Sequence, residues 1–155
     1  GFNGLQSAGY LEIIACSKLL ESPALPNLNS LRGGIWFQEN HDLLRVNSLG
    51  NLEESIDRVY FKWNDSLVSI EGLSGISGVE NYVYIERNES LLSLAGLDNI
   101  TFITGNLDIK YNPDLVNLCA LQTLFSNDGL GGDYYIVGNG YDPTQQGIMN
   151  GDCAL

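Results

Sequence analysis

His41 is the only histidine of this chain, and no cysteine or second histidine stands near it. The residue clusters that hold zinc therefore have no counterpart here. No G-x-S-x-G sequence and no phosphate-binding glycine loop occurs, so nucleophilic catalysis lacks its usual constellation. Carboxylates are plentiful: nineteen Asp and Glu face seven Lys and Arg, for a formal net charge of -12. Two acids flanking a cleft are enough for glycoside hydrolysis, so a polysaccharide-active enzyme is the one catalytic alternative. Asp65, Glu89, Asp114 and Asp142 each follow a recurring asparagine. They are candidates for weak Ca²⁺ contacts, although their spacing matches no dedicated calcium loop and solvated turns also account for them. The expectation is a protein that is not an enzyme and carries no cofactor.

Three cysteines are present. Cys119 and Cys153 are 34 residues apart, and bridging them would pin the C-terminal tail. Such a loop is worth about 3–4 kcal/mol in the chain-entropy account, and it would agree with export to an oxidising compartment. Two free thiols are the alternative. Cys16 reads as a core residue rather than a nucleophile, for a reason that lies in the repeat described next.

Six segments share one pattern. Its anchor is an asparagine, at Asn40, Asn64, Asn88, Asn112 and Asn139, with Cys16 in the same place in the first unit. Successive anchors from Cys16 to Asn112 are 24 residues apart, and the last step is 27, across the glycine-rich stretch SNDGLGGD. Apolar residues keep phase with the anchor. Three positions before it stand Ile13, Phe37, Phe61, Ile85, Ile109 and Ile136; five before it stand Leu11, Ile35, Val59, Val83, Leu107 and Tyr134. Two apolar positions two apart, rich in β-branched and aromatic types, predict one short strand per unit with one face inward. Leucine and isoleucine columns follow three, nine and twelve residues after the anchor, which suits a coil with corners and leaves no room for a long helix. LCALQTLF is expected to form a short one.

No unit can bury its apolar side alone, so stacking is required, and it gives a β-solenoid with a continuous core and one parallel sheet. The anchor at the strand end is expected to turn inward and bond backbone groups of its own turn and of adjacent turns, because an unpaired buried amide would destabilise the fold. A thiol is small and tolerates burial, so Cys16 fits the same column. Gly72, Gly96 and Gly105 suit corners of positive φ. One domain covers 1–155: an N-terminal cap over 1–9, repeats over 10–137 and a C-terminal cap over 138–155. The opening Gly1-Phe2-Asn3-Gly4 lacks Met, which fits a processed product or an excised domain. Sequons occur at Asn64, Asn88 and Asn99. The first two are ladder residues and should be unavailable, leaving Asn99 as the acceptor in a eukaryotic host.

Alternation along each strand places a second set of residues outside. Four positions before the anchor this set is Glu12, Trp36, Tyr60, Tyr84, Asp108 and Tyr135; two before it, Ile14, Gln38, Lys62, Glu86, Lys110 and Val137. Trp63 and Tyr111 immediately precede their anchors and flank the sheet, as do Tyr10 and Tyr82. With turns about 4.8 Å apart, Trp36, Tyr60 and Tyr84 should form a contiguous strip. Aromatic residues favour strands and stack between neighbours, and an adjoining domain would also explain the strip. Recognition is the functional reading, since Tyr and Trp supply rigid contact area with a polar handle. A protein or peptide is the first choice of partner and a glycan the second; a purely structural segment of a longer surface protein is the third. The acidic balance excludes a nucleic-acid partner and disfavours an anionic membrane. No stretch is long and apolar enough to span a bilayer. A monomeric module is expected.

The stretches SLAGLDNITFITGNLDIKYNPDLVNLCAL and VSIEGLSGISGVENYVYIERNESLLSL resemble the leucine-rich repeats of the receptor L domain family, the ligand-binding modules of epidermal growth factor and insulin receptor ectodomains. The chain is also similar to repeat arrays of bacterial surface and secreted proteins, notably of marine Bacteroidetes, which often end in a GNGYDPTQQG-like, cysteine-containing tail. The resemblance spans about residues 9–145. It implies a right-handed leucine-rich-repeat coil of about six turns with capped ends, on an extracellular, secreted or cell-surface protein engaged in adhesion or ligand binding. The receptor relatives carry many disulfides that this chain lacks, so no receptor role or ligand residue is carried over.

Overall fold

A computed structural model describes residues 2–49, 52 and 54–155; Gly1 of the expected N-terminal cap lies outside them. The apolar-in, polar-out alternation produces a six-stranded parallel sheet. Its strands, in spatial order, are β2 (Leu11–Ile14), β4 (Ile35–Gln38), β5 (Ser55–Lys62), β6 (Gly78–Glu86), β7 (Leu107–Lys110) and β8 (Tyr134–Val137). Sequence order and spatial order coincide, so the chain is a β-solenoid in which each turn of about 24 residues adds one strand. The register is the one the anchors dictate: Leu11, Ile35, Val59, Val83, Leu107 and Tyr134 are direct partners across successive strands.

Turns also meet along two further lines. On one, β1 (Ser7–Ala8) pairs with β3 (Ser30–Leu31), and in the later turns Ile56, Val79, Ile103 and Leu130 pair in succession. The other pairs Glu21, Arg45 and Ser69, and then Ser93 with Asn117. These two lines bury columns beyond the five read from the sequence. Val46, Ile70, Leu94 and Leu118 lie six residues after the anchors, and Leu31, Ile56, Val79 and Ile103 lie on the opposite corner; all are buried. In the first turn Ser22 takes the place of the six-residue column, buried with its Oγ accepting from the Asn47 N–H at 2.9 Å.

The anchor column is a hydrogen-bonded ladder. Asn64 Nδ2 donates to the Phe37 carbonyl of the preceding turn (3.0 Å) and to Asn88 Oδ1 of the next (3.0 Å), while Asn64 Oδ1 accepts both the backbone N–H (3.2 Å) and the side-chain amide (3.0 Å) of Asn40. Asn88 and Asn112 repeat this arrangement. Asn40, Asn64, Asn88 and Asn112 are fully buried, so the sequons at Asn64 and Asn88 are closed to modification. Asn99 is exposed, with Nδ2 donating to the Ser74 carbonyl.

The inward turn of each anchor comes from the residue before it. Ala15, Glu39, Trp63, Arg87 and Tyr111 all have φ between 54° and 57°, and Gly138 has φ 73°. A left-handed residue reverses the side-chain sense at the strand end, and the ladder bonds offset its cost. Of the three glycines expected at positive φ, only Gly96 has it (φ 109°). Gly72 is needed instead for close approach: a Cβ there would lie 2.3 Å from the Asn47 carbonyl oxygen of the adjacent turn.

The two ends differ. At the C-terminal end a 3₁₀ turn (Cys119–Leu121) runs into α1 (Gln122–Ser126), confirming the short helix expected there, and α2 (Gln145–Met149) packs beside it. The Cys119–Cys153 disulfide is formed, with Ile148 and Cys153 buried. At the N-terminal end residues 2–9 do not seal the first turn. Ser7–Ala8 pairs with Ser30–Leu31 instead, and Leu11, Ile13 and Leu19 are only half-buried. Cys16 is correspondingly exposed, which corrects the expectation of a core residue: among the described residues only the turn of Asn40 packs against it. Its backbone N–H still joins the ladder, donating to Asn40 Oδ1 at 3.0 Å.

Candidate functional site: an aromatic sheet face

The outward column is in register as the repeat requires. Trp36 pairs with Tyr60, Tyr60 with Tyr84, Tyr84 with Asp108, and Asp108 with Tyr135. Parallel pairing brings the three rings into one stack. The Trp36 and Tyr60 centroids are 3.9 Å apart at 22°, and those of Tyr60 and Tyr84 are 5.1 Å apart at 7°. Face-to-face stacking along the coil axis covers the ring faces between neighbours. The faces at the two ends of the stack have no ring against them, at Trp36 beside Glu12 and at Tyr84 beside Asp108. Asp108 thus separates Tyr135 from the strip, and Tyr135 bonds Asp133 instead.

The second outward row locks the first. Trp36 Nε1 donates to Gln38 Oε1 (3.1 Å), and Gln38 Nε2 donates to Glu39 Oε1 (2.7 Å). Tyr84 Oη donates to the Glu86 carboxylate, which Lys62 Nζ also meets at 3.3 Å and Arg87 Nε at 3.5 Å. Burial pushes the Tyr84 phenol well above its ordinary range, and the bond to Glu86 and its negative charge add to the rise. Burial would raise Glu86 as well, but the bond from Tyr84 and the charges of Lys62 and Arg87 hold it below the usual carboxylate value. Desolvation and the Glu86 charge likewise raise Tyr60.

Every cation on this face sits against a ring and a carboxylate. Lys62 Nζ lies 4.3 Å from the Trp63 centroid and pairs with Glu86. Lys110 Nζ lies 4.8 Å from Tyr135 and pairs with Asp108. The Arg58 guanidinium is 5.6 Å from Tyr82 and pairs with Asp57; that of Arg87 is 5.8 Å from Tyr111 and pairs with Glu86. Trp63 and Tyr111 therefore do flank the sheet, on the left-handed residues at the strand ends.

The short Asp108 beside Tyr84 opens a groove of about 470 Å³, lined by Tyr60, Asn81, Tyr82, Tyr84, Gly105, Asn106 and Asp108. Asn81, Gly105 and Asn106 were not among the sequence-derived candidates. Extending the alternation one step to six before the anchor reaches Arg58, Tyr82 and Asn106, so that signal was present in the sequence.

The acidic residues after the anchors do not converge. Asp65 Oδ2 lies 2.7 Å from His41 Nδ1, and Asp142 is bonded to residues 138 and 139. No group of three or more His, Cys, Asp or Glu capable of holding a metal occurs among the described residues. No helix among them is long and apolar enough to cross a membrane. The geometry defines the class as a β-solenoid with a buried asparagine ladder and an exposed aromatic patch. Comparison with protein-family models, with curated proteins and with solved structures finds no match.

Proposed function

We propose that this chain is a non-enzymatic, leucine-rich-repeat recognition module of an extracellular or cell-surface protein, and that it binds a protein or peptide through the outer face of its sheet. The carrying observation is the Trp36–Tyr60–Tyr84 stack, held in register by the strands and locked by Gln38 and Glu86. Such rings lose little conformational entropy on binding, which favours rigid aromatic anchors at protein interfaces. Face-to-face stacking weighs against a glycan platform, because a sugar ring packs on an open aromatic face, and the stack leaves one at each end rather than three in a row. The disulfide fits an oxidising compartment.

Selection of a displayed peptide library on the purified domain tests the reading, with counter-selection on a folded Trp36→Ala/Tyr60→Ala variant. Clones that need both rings support it. Clones indifferent to both, or a glycan array that binds the parent while the library gives none, overturn it.

A further inference from the structure

We infer that the groove between Tyr84 and Asp108 is a subsite for a cationic side chain, arginine first and lysine second, presented by a basic protein or peptide partner. The inference rests on the reading of the sheet face as a protein-binding surface and names the chemistry of its partner.

Three observations carry it. The first is the pattern of clamps already on the face. Four of the chain's own cations, Arg58, Lys62, Arg87 and Lys110, each lie over an aromatic ring and against a carboxylate. This surface satisfies positive charge by one repeated combination, ring plus acid.

The second is that the groove brings a ring and an acid together with no cation among its lining residues, although Lys62 Nζ approaches the Tyr84 centroid at 5.6 Å and Arg58 the Tyr82 centroid at 5.6 Å from outside it. The Tyr84 ring face turned from Tyr60 meets no other ring. Asp108 Oδ1 is taken by Lys110, while Asp108 Oδ2 has no partner among the described residues. The Tyr60 hydroxyl and the Asn81 side-chain amide also line the groove without a hydrogen-bond partner among those residues, while the Tyr82 hydroxyl faces Arg58. A planar guanidinium could lie on Tyr84, donate to Asp108 Oδ2, and spend its remaining N–H groups on the Asn81 amide oxygen and a tyrosine hydroxyl. An ammonium satisfies fewer of these acceptors. The volume of about 470 Å³ accommodates one such side chain.

The third is charge. A chain of formal charge -12 attracts a basic partner at long range and repels an acidic one.

The test uses the capped tripeptide Gly-Arg-Gly and its citrulline twin, which keeps the shape and loses the charge. Both are titrated into the intact chain at low and at physiological salt, followed by tyrosine-ring NMR. The arginine peptide should move the ring signals of Tyr60, Tyr82 and Tyr84 and leave Tyr10 and Tyr141 in place, and the citrulline peptide should move none. Asp108→Asn should weaken the arginine peptide by about tenfold or more. Tyr82→Leu, a second lining position, should weaken it as well, each variant first shown to be folded. Equal binding of the citrulline peptide overturns the inference, as do shifts scattered over the acidic surface and unmoved by Asp108→Asn, or the absence of any shift. If the tripeptide is silent while library clones still require Trp36 and Tyr60, the groove inference falls and the proposed function stands. If the tripeptide binds while no clone depends on the strip, the reverse holds.

Discussion

Asp142 stands where the next asparagine of the ladder would stand: its Oδ1 accepts the backbone N–H (3.1 Å) and the side-chain amide (2.8 Å) of Asn139, and its Oδ2 accepts the Gly138 N–H (2.7 Å). A ladder that passes each amide to the next oxygen must end on an acceptor that needs no further partner of its own, and a carboxylate is acceptor-only. The carboxylate is therefore committed to the fold. Asp142→Ala should cost about 1–2 kcal/mol, since water can reach the half-buried Asn139 and replace part of what is lost. Asp142→Asn should cost less, because it keeps an oxygen in place. Urea denaturation of the two variants checks the order.

The middle of the ladder should respond more strongly. Asn64→Ala removes two donated bonds to neighbouring turns and leaves the buried N–H and amide of Asn40 without their acceptor. The expected loss is about 3–5 kcal/mol, measured by the same denaturation. A loss below about 1 kcal/mol would show that the ladder is incidental to stability.

The Cys119–Cys153 bridge closes a loop of 34 residues and should contribute about 3–4 kcal/mol in the chain-entropy account. In a solenoid, stability is local to neighbouring turns. Cys153→Ser should therefore raise hydrogen exchange in 119–155 while leaving β4 to β6 protected. Uniform loss of protection along the sheet would contradict this.

Two shifts on the sheet face predict the pH dependence. Glu86 titrates lower in the fold than in the unfolded chain, where carboxylates of its type titrate near about 4.3. Its contribution is thus present above that value and is lost as pH falls through the folded value. Tyr84 titrates higher in the fold than its unfolded value of about 10. Its contribution is complete below about pH 10 and is lost as pH rises from there toward the folded value. Tyr84→Phe should flatten the alkaline limb and, by removing the bond to Glu86, shift the acid limb upward. Stability measured against pH for both proteins decides it.

Much of this was legible in the sequence because the repeat carries it. The 24-residue step alone sets strand order, register, the inward Asn64 and the outward Trp36, since each follows from phase. The Cys119–Cys153 pairing was one of two open alternatives. Three features escaped for physical reasons. The left-handed residue before each anchor has no common type, being Ala15, Glu39, Trp63, Arg87, Tyr111 and Gly138 in turn; residue type does not mark the conformation, whose cost the ladder bonds offset. Cys16 kept the spacing of the buried column, but spacing says nothing about whether a second turn covers it. The groove depends on a size difference between Tyr84 and Asp108, which a column of outward residues records without showing that a space results.

Removing rings from the strip should leave the fold standing, which makes the binding test readable. Each stacked pair adds about 0.5–1.5 kcal/mol beyond its buried area, so Trp36→Ala loses one such increment and Tyr60→Ala, which touches both neighbours, loses two, each on top of the buried area lost with the ring. Thermal unfolding checks both values.

Aromatic-ring NMR of the chain with its tightest library-selected peptide tests the recognition account most directly. The account predicts that the Trp36 indole N–H and the Tyr60 and Tyr84 ring signals shift on binding while those of Tyr10 and Tyr141 stay in place. Shifts confined to Tyr10 or Tyr141, with the strip unmoved, would contradict it.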